Sequence, residues 1–119
     1  MKKTDFDAIA AICTGPGGSI GIVRISGPGA ADVLVRVWDG RTDPRDRPRV
    51  MLFGRLRTPG KEPCLAVFMP GPRSYTGEDV AELHCHGGTY APRALLRLVL
   101  HSGARMAENG EFTRRAFLN

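Results

Sequence analysis

The sequence predicts an α/β fold of the α+β kind, a mixed sheet with flanking helices, and two observations carry that expectation. Strand-like apolar runs near both ends of the chain alternate with stretches of helical periodicity, while the middle holds two strand-like runs joined by a short turn. The first pattern calls for helices packed on a sheet. The second is an antiparallel hairpin, which argues against a purely parallel sheet.

The elements follow in order. Within Asp7–Thr14 the apolar run from Ala8 to Cys13 reads as a buried strand, stopped by the turn Gly15-Pro16-Gly17-Gly18. Ile20–Ser26 restarts the pattern with the β-branched Ile20, Ile22, Val23 and Ile25, and Gly27-Pro28 ends it. Pro28 suits the first turn of a helix, which the apolar face of Ala30, Val33, Leu34 and Val37 carries to about Trp38. Asp39–Pro48 is polar and broken by proline, so a surface loop is expected. Val50–Leu56 and Cys64–Met69 are the hairpin strands, with Thr58-Pro59-Gly60-Lys61 between them. After a loop at Pro70-Gly71-Pro72, Asp79–His86 alternates in polarity up to Gly87-Gly88. Thr89 is placed to cap a helix with Pro92 in its first turn; Leu95, Leu96, Val99 and Leu100 form its apolar stripe opposite Arg93, Arg97 and His101, and Gly103 ends it. Glu108–Thr113 leads into a last helix that runs out at Asn119, and a chain stopping in mid-helix is expected to belong to a longer one.

Composition narrows the classes. A globule of 119 residues is expected to form one core, burying roughly two-thirds of its unfolded surface. With 42% hydrophobic and 24% charged residues, the chain is neither a disordered nor a fibrous sequence. Apolar runs such as Leu65 to Met69 and Leu98 to Leu100 are too short to cross a bilayer. Lys2 and Lys3 are followed by Asp5, Asp7 and only a short apolar stretch, which does not read as a secretory signal; a cytoplasmic location is expected. The three cysteines, Cys13, Cys64 and Cys85, are widely spaced and form no CxxC pair, so reduced and mostly buried thiols are expected rather than a disulfide framework or a zinc site. The net charge of +5 fits either an RNA-binding face or an ordinary arginine-rich surface, with Arg41, Arg45, Arg47 and Arg49 clustered in the proline-broken loop.

Three segments have chemical potential. Gly15-Pro16-Gly17-Gly18-Ser19-Ile20-Gly21 lacks the lysine of a phosphate loop, and Gly60-Lys61 is followed by Glu62, so no Walker A motif exists and a tight turn is expected. No catalytic residue is assigned and no nucleotide hydrolysis is expected of this chain. In His84-Cys85-His86 the imidazoles share one strand face, but a metal needs three or four ligands and His101 lies on a helix without ligand-like spacing, so no metal site is expected. Cys85 on the opposite face cannot share a proton with either histidine. The third segment is the strand Asp79–His86 itself, where Ala81, Leu83 and Cys85 read as core and Val80, Glu82, His84 and His86 form the other face, either solvated or a polar pocket wall. Arg24 interrupts an apolar strand on the face of Ile20 and Ile22, so its guanidinium needs a carboxylate within the fold or an anionic ligand.

The blocks Ala8-Ile9-Ala10-Ala11, Gly21-Ile22-Val23-Arg24-Ile25-Ser26-Gly27, Ser74-Tyr75-Thr76-Gly77-Glu78-Asp79-Val80, His86-Gly87-Gly88 and Gly110-Glu111-Phe112-Thr113-Arg114-Arg115-Ala116-Phe117-Leu118-Asn119 occur in this order over nearly the whole chain. Together they resemble the amino-terminal domain of the tRNA modification GTPases of the MnmE (TrmE) family. The resemblance implies that residues 1–119 form that domain, related in fold to the tetrahydrofolate-binding part of aminomethyltransferases, homodimeric, and holding 5-formyl- or 5,10-methylene-tetrahydrofolate as a one-carbon donor. It further implies a helical domain and a potassium-dependent GTPase domain, using Mg2+ and GTP, outside this chain. The full protein would pair with an FAD-containing MnmG-type partner to modify C5 of the wobble uridine in tRNA. The family's folate-binding arginine and glutamate match Arg24 and Glu82, and a third ligand position, a lysine, would lie beyond Asn119. Where the family turn reads PPGRGG, this chain has Gly15-Pro16-Gly17-Gly18-Ser19, one residue shorter and without the arginine. The alternative function is a non-enzymatic tRNA-binding module using the arginine-rich surface.

Overall fold

Seven strands and three helices alternate through residues 7–119, the part of the chain that the computed structural model describes. They are β1 (Ile9–Ile12), β2 (Ile20–Ser26), α1 (Ala30–Val37), β3 (Trp38–Gly40), β4 (Leu52–Leu56), β5 (Pro63–Met69), β6 (Val80–His86), α2 (Tyr90–His101), β7 (Arg105–Met106) and α3 (Glu111–Leu118). Lys2, Lys3 and Asp5, on which the reading against a secretory signal rests, lie outside the described residues. The strands form one sheet of order β3-β4-β5-β6-β2-β1-β7, in which β7 runs parallel to β1 and the other neighbours are antiparallel. This is the mixed α/β arrangement that the sequence predicts, hairpin β4–β5 included.

Strand periodicity divides the sheet into two unlike faces. Ala10, Val23, Ile25, Ala66, Ala81 and Leu83 are fully buried and pack with Leu34 and Val37 of α1 and Leu95 and Val99 of α2 in one core. Each large aliphatic side chain so buried contributes about 1.5–3 kcal/mol. Helices α1 and α2 therefore lie on one side. The opposite face carries Ile22, Arg24, Ser26, Glu82 and His84, and α3 with the segment 71–79 covers only one end of it, where Ile9, Ser26, Thr76 and Val80 are buried. Among the described residues no helix is long and apolar enough to cross a membrane.

The structure corrects several local expectations. The helix ends at Val37, and Trp38–Gly40, read as a helix end and loop, is an edge strand with Trp38 opposite Leu56 and Gly40 opposite Gly54. The cause is the indole. Trp38 is buried, its Nε1 donates to the carbonyl of Cys64 at 2.9 Å, and its ring occupies the space above Gly40 and Gly54. A Cβ on Gly54 would lie 2.4 Å from the ring and 2.3 Å from the carbonyl oxygen of Asp39. Gly54→Ala is therefore expected to cost about 1–3 kcal/mol, seen as a lower urea midpoint. Thr89 occupies the cap position of α2 but makes no side-chain cap bond, and Pro28 precedes the cap of α1, which is Gly29 in the left-handed region. The short β7 was not anticipated. Arg105 of β7 and the adjoining Ala107 donate backbone hydrogen bonds to the carbonyls of Ala8 and Ala10 at 3.0 and 2.9 Å, extending the sheet by one narrow edge.

Candidate functional site

Antiparallel pairing of β2 with β6 sets Arg24 directly opposite Glu82 and Ile22 opposite His84. The two positions singled out in the sequence thus meet across a strand boundary. Arg24 Nε donates to Glu82 Oε2 at 2.9 Å, and Arg24 Nη2 lies 2.8 Å from the same oxygen. The other carboxylate oxygen, Oε1, is 3.0 Å from His84 Nε2. Of the two readings open for Arg24, the pair within the fold is present, and it leaves the charged groups half-buried, with side-chain exposures of 27% for Arg24 and 15% for Glu82. Burial pushes the Glu82 carboxyl up, but the hydrogen bonds from His84 and Arg24 and the nearby guanidinium charge outweigh it and hold the group below the ordinary carboxylate range. Glu82 is an anion with both oxygens aimed.

Two aromatic rings frame the guanidinium. Arg24 Cζ lies 5.3 Å from the centroid of Tyr75 and 5.9 Å from that of Phe112, within cation–π range. Tyr75 is exposed, and its hydroxyl is 3.1 Å from Thr113 Oγ1. Nothing in the sequence spacing linked these residues to Arg24; they belong to a loop and a helix brought over the sheet by the fold. Beside His84, an open cleft of about 210 Å³ continues along the sheet, lined by Ile20, Phe53, Leu65 and His86.

What holds Phe112 in place is a buried polar network at the start of α3, also missed in the sequence. Glu111 and Arg115, four residues apart on one helix face, are buried. Arg105 grips Glu111 with two donors, Nη1 to Oε1 at 3.0 Å and Nη2 to Oε2 at 2.5 Å, and the Glu108 N–H adds a bond at 2.9 Å. Arg115 reaches Glu111 Oε2 at 3.3 Å, Glu78 Oε2 at 3.1 Å and the Asp7 carbonyl at 2.6 Å. Glu78 in turn accepts from the Ser26 hydroxyl at 2.9 Å, closing the connection back to β2. Burial raises the Glu111 carboxyl, yet the Arg105 and backbone hydrogen bonds, with the charges of Arg105 and Arg115, bring it down to about 2. The available sequence signal was the Glu-to-Arg spacing of Glu111 and Arg115.

The remaining candidates fall outside this cluster. His86 is exposed, His84 is engaged by Glu82, and among the described residues no group of three or more His, Cys, Asp or Glu side chains converges as metal ligands do. Cys64 is buried and Cys85 half-buried, but Cys13 is exposed, contrary to expectation. Burial raises the thiols of Cys64, to about 12, and Cys85, which keeps both protonated and weakly nucleophilic. The glycine turn packs on Gly87-Gly88, whose N–H groups donate to Ser19 and Gly18 at 3.1 and 2.8 Å. In the arginine-rich loop, Arg45 pairs with Asp43 at 2.7 Å and Arg49 donates to the carbonyls of Pro70 and Arg73 at 3.0 and 2.9 Å. Half of that cluster is thus committed to contacts within the fold, Arg45 inside its own loop and Arg49 to the loop that begins at Pro70.

Two helices, α1 and α2, on one sheet face, and on the other an aromatic-framed guanidinium–carboxylate pair, define an α/β domain with one polar, largely open sheet face. The family described as GTP-binding protein TrmE N-terminus matches residues 8–119, and the chain belongs to it. Its relatives include three proteins named tRNA modification GTPase MnmE. That of Symbiobacterium thermophilum is 52% identical over 123 residues, covering 95% of this chain and 26% of the relative. That of Lactiplantibacillus plantarum is 45% identical over 121 residues, with 98% and 26% covered. That of Nitratidesulfovibrio vulgaris is 49% identical over 126 residues, with 95% and 26% covered. The chain therefore spans 26% of the length of the relatives it matches, and corresponds to their amino-terminal domain.

Proposed function

We propose that this chain is the folate-binding, dimer-forming domain of a tRNA modification GTPase, holding 5-formyl- or 5,10-methylene-tetrahydrofolate as the one-carbon donor for C5 of the tRNA wobble uridine. The observation that carries the reading is the Arg24–Glu82 pair, fixed across β2 and β6 on the open sheet face and framed by Tyr75 and Phe112. The donor set fits a reduced pterin. A carboxylate accepts paired N–H bonds from an amino-pyrimidine edge, a guanidinium donates to a carbonyl oxygen, and an exposed ring offers a flat surface beside them. A bound tetrahydrofolate would supply the one-carbon unit; the residues here bind and orient it, and Arg24 and His84 keep Glu82 ionised to receive it.

Dimer formation draws support from the same face, where Ile20, Phe53 and Leu65 are exposed at 56%, 63% and 38%. A fold relation to the tetrahydrofolate-binding part of aminomethyltransferases, a cytoplasmic location, and the GTP, Mg2+ and K+ chemistry and MnmG-type partner of the longer protein belong to the same proposal. The alternative, a tRNA-binding module built on the loop of Arg41, Arg45, Arg47 and Arg49, is weakened by the partners of Arg45 and Arg49.

Isothermal titration with 5-formyl-tetrahydrofolate tests the proposal on this chain and on the longer protein. Saturable binding that disappears in Glu82→Ala, with the melting temperature largely kept, is the expected result. Binding by neither protein, or an affinity indifferent to Glu82→Ala, would remove the assigned site.

A further inference from the structure

We infer that the outer face of α2 is a docking surface for the phosphate backbone of RNA. Arg93, Arg97 and His101 recur at four-residue intervals and so stand one above another on the helix, and all three are exposed. Tyr90, 81% exposed, opens the same helix, and Tyr90–His101 contains no acidic residue.

Most other arginines have partners inside the fold. Arg24, Arg45, Arg57 and Arg105 pair with carboxylates, and Arg36 and Arg55 donate to the carbonyls of Ser102 and Lys61. Among the described residues, the side chains of Arg93 and Arg97 make no hydrogen bond or ion pair. Two guanidinium groups one turn apart repel each other, and among the described residues no carboxylate forms an ion pair with either. A polyanion supplies it from outside. RNA is favoured over an acidic protein because Tyr90 adds an exposed ring on which a base can stack beside the cationic stripe.

The inference rests on the reading of the chain as part of a tRNA-modifying protein, but not on its folate site. Pro92 and Leu95 of α2 pack against the sheet face that carries Gly21 and Val23, opposite the face of Arg24 and Glu82. The two surfaces are therefore separable by experiment.

Fluorescence anisotropy with an unmodified tRNA transcript, on this chain and on the longer protein, is measured from 50 to 200 mM salt. The double variant Arg93→Ala/Arg97→Ala is expected to weaken binding about tenfold and to flatten the slope of log K against log salt by about 1.5, the sum for two phosphate contacts. Arg93→Lys/Arg97→Lys retains the slope, and Tyr90→Ala lowers affinity about fivefold without changing it. Melting temperature and the 5-formyl-tetrahydrofolate titration stay as in the parent. An unchanged affinity and slope in the double alanine variant would overturn the inference, as would loss of the RNA slope through Arg41→Ala/Arg47→Ala alone. Competition by poly-glutamate as effective as by RNA, with no dependence on Tyr90, would assign the face to an acidic protein instead. If folate binding fails while the slope change appears, the folate reading falls and this one stands.

Discussion

Glu111→Ala is expected to destabilise the fold by about 3–5 kcal/mol, the range for removing one partner from a buried charge cluster. Arg115 is fully buried and loses one of its carboxylate partners with Glu111, while Arg105 loses both of its hydrogen bonds to that carboxylate. The backbone at Glu108 loses its acceptor as well. Urea unfolding of Glu111→Ala beside Glu111→Gln separates charge from shape, since glutamine preserves volume and one acceptor. The carboxyl also leaves an acid signature. Its value in the fold, about 2, lies below its ordinary 4.5, so the native state gains stability from the ionised form. That gain, on the order of 3 kcal/mol, is complete above the unfolded value and is lost as pH falls from about 4.5 to about 2. In Glu111→Gln this part of the pH dependence disappears. An unfolding free energy within about 1 kcal/mol of the parent for Glu111→Ala would mean that α3 is not held by this network.

Arg24→Ala is expected to lower affinity for 5-formyl-tetrahydrofolate about 100-fold and to make binding fail at higher pH than in the parent. The first effect is the loss of a charged donor, worth about 1.5–3 kcal/mol on its own, together with the loss of the group that aims Glu82. The second follows from the balance at Glu82. Burial raises its carboxyl and is outweighed only with the help of Arg24, so removing the guanidinium moves the value upward. Binding that requires the anion then declines on acidification earlier. Titrations at a series of pH values read both effects. Equal affinity, or an acid limb that does not move, would show that Arg24 and Glu82 serve only to join β2 to β6.

Much of the architecture was legible because its signals are local. The bounds of β2 coincide with the β-branched run Ile20–Ser26, and the stripe of Leu95, Leu96 and Val99 is the buried side of α2. Strand parity placed Glu82 off the core face of its strand, and Arg24 stood out as a charge in an apolar strand on the face of Ile20 and Ile22. Which strand lies beside which is a long-range property, so their pairing awaited the β2–β6 register. The missed features share that origin. The strand at Trp38 depends on glycines at 40 and 54, where side chains would displace the indole, and β7 exists only because β1 offers an edge. Tyr75 and Phe112 reach Arg24 from separate segments, and the ionic character of α3 is visible in sequence while its burial is not.

Trp38 is the single tryptophan of the chain, and its indole is enclosed between α1, β4 and β5 with its N–H held by a backbone carbonyl. Such an environment shifts fluorescence to the blue, and solvent entry at the β3–β4 edge shifts it to the red. The fold therefore carries its own optical reporter, on a strand three positions from that of Glu82 and four from that of Arg24 in the sheet. Its emission tracks unfolding without an added dye, and a ligand held at β2 and β6 leaves the indole's surroundings untouched.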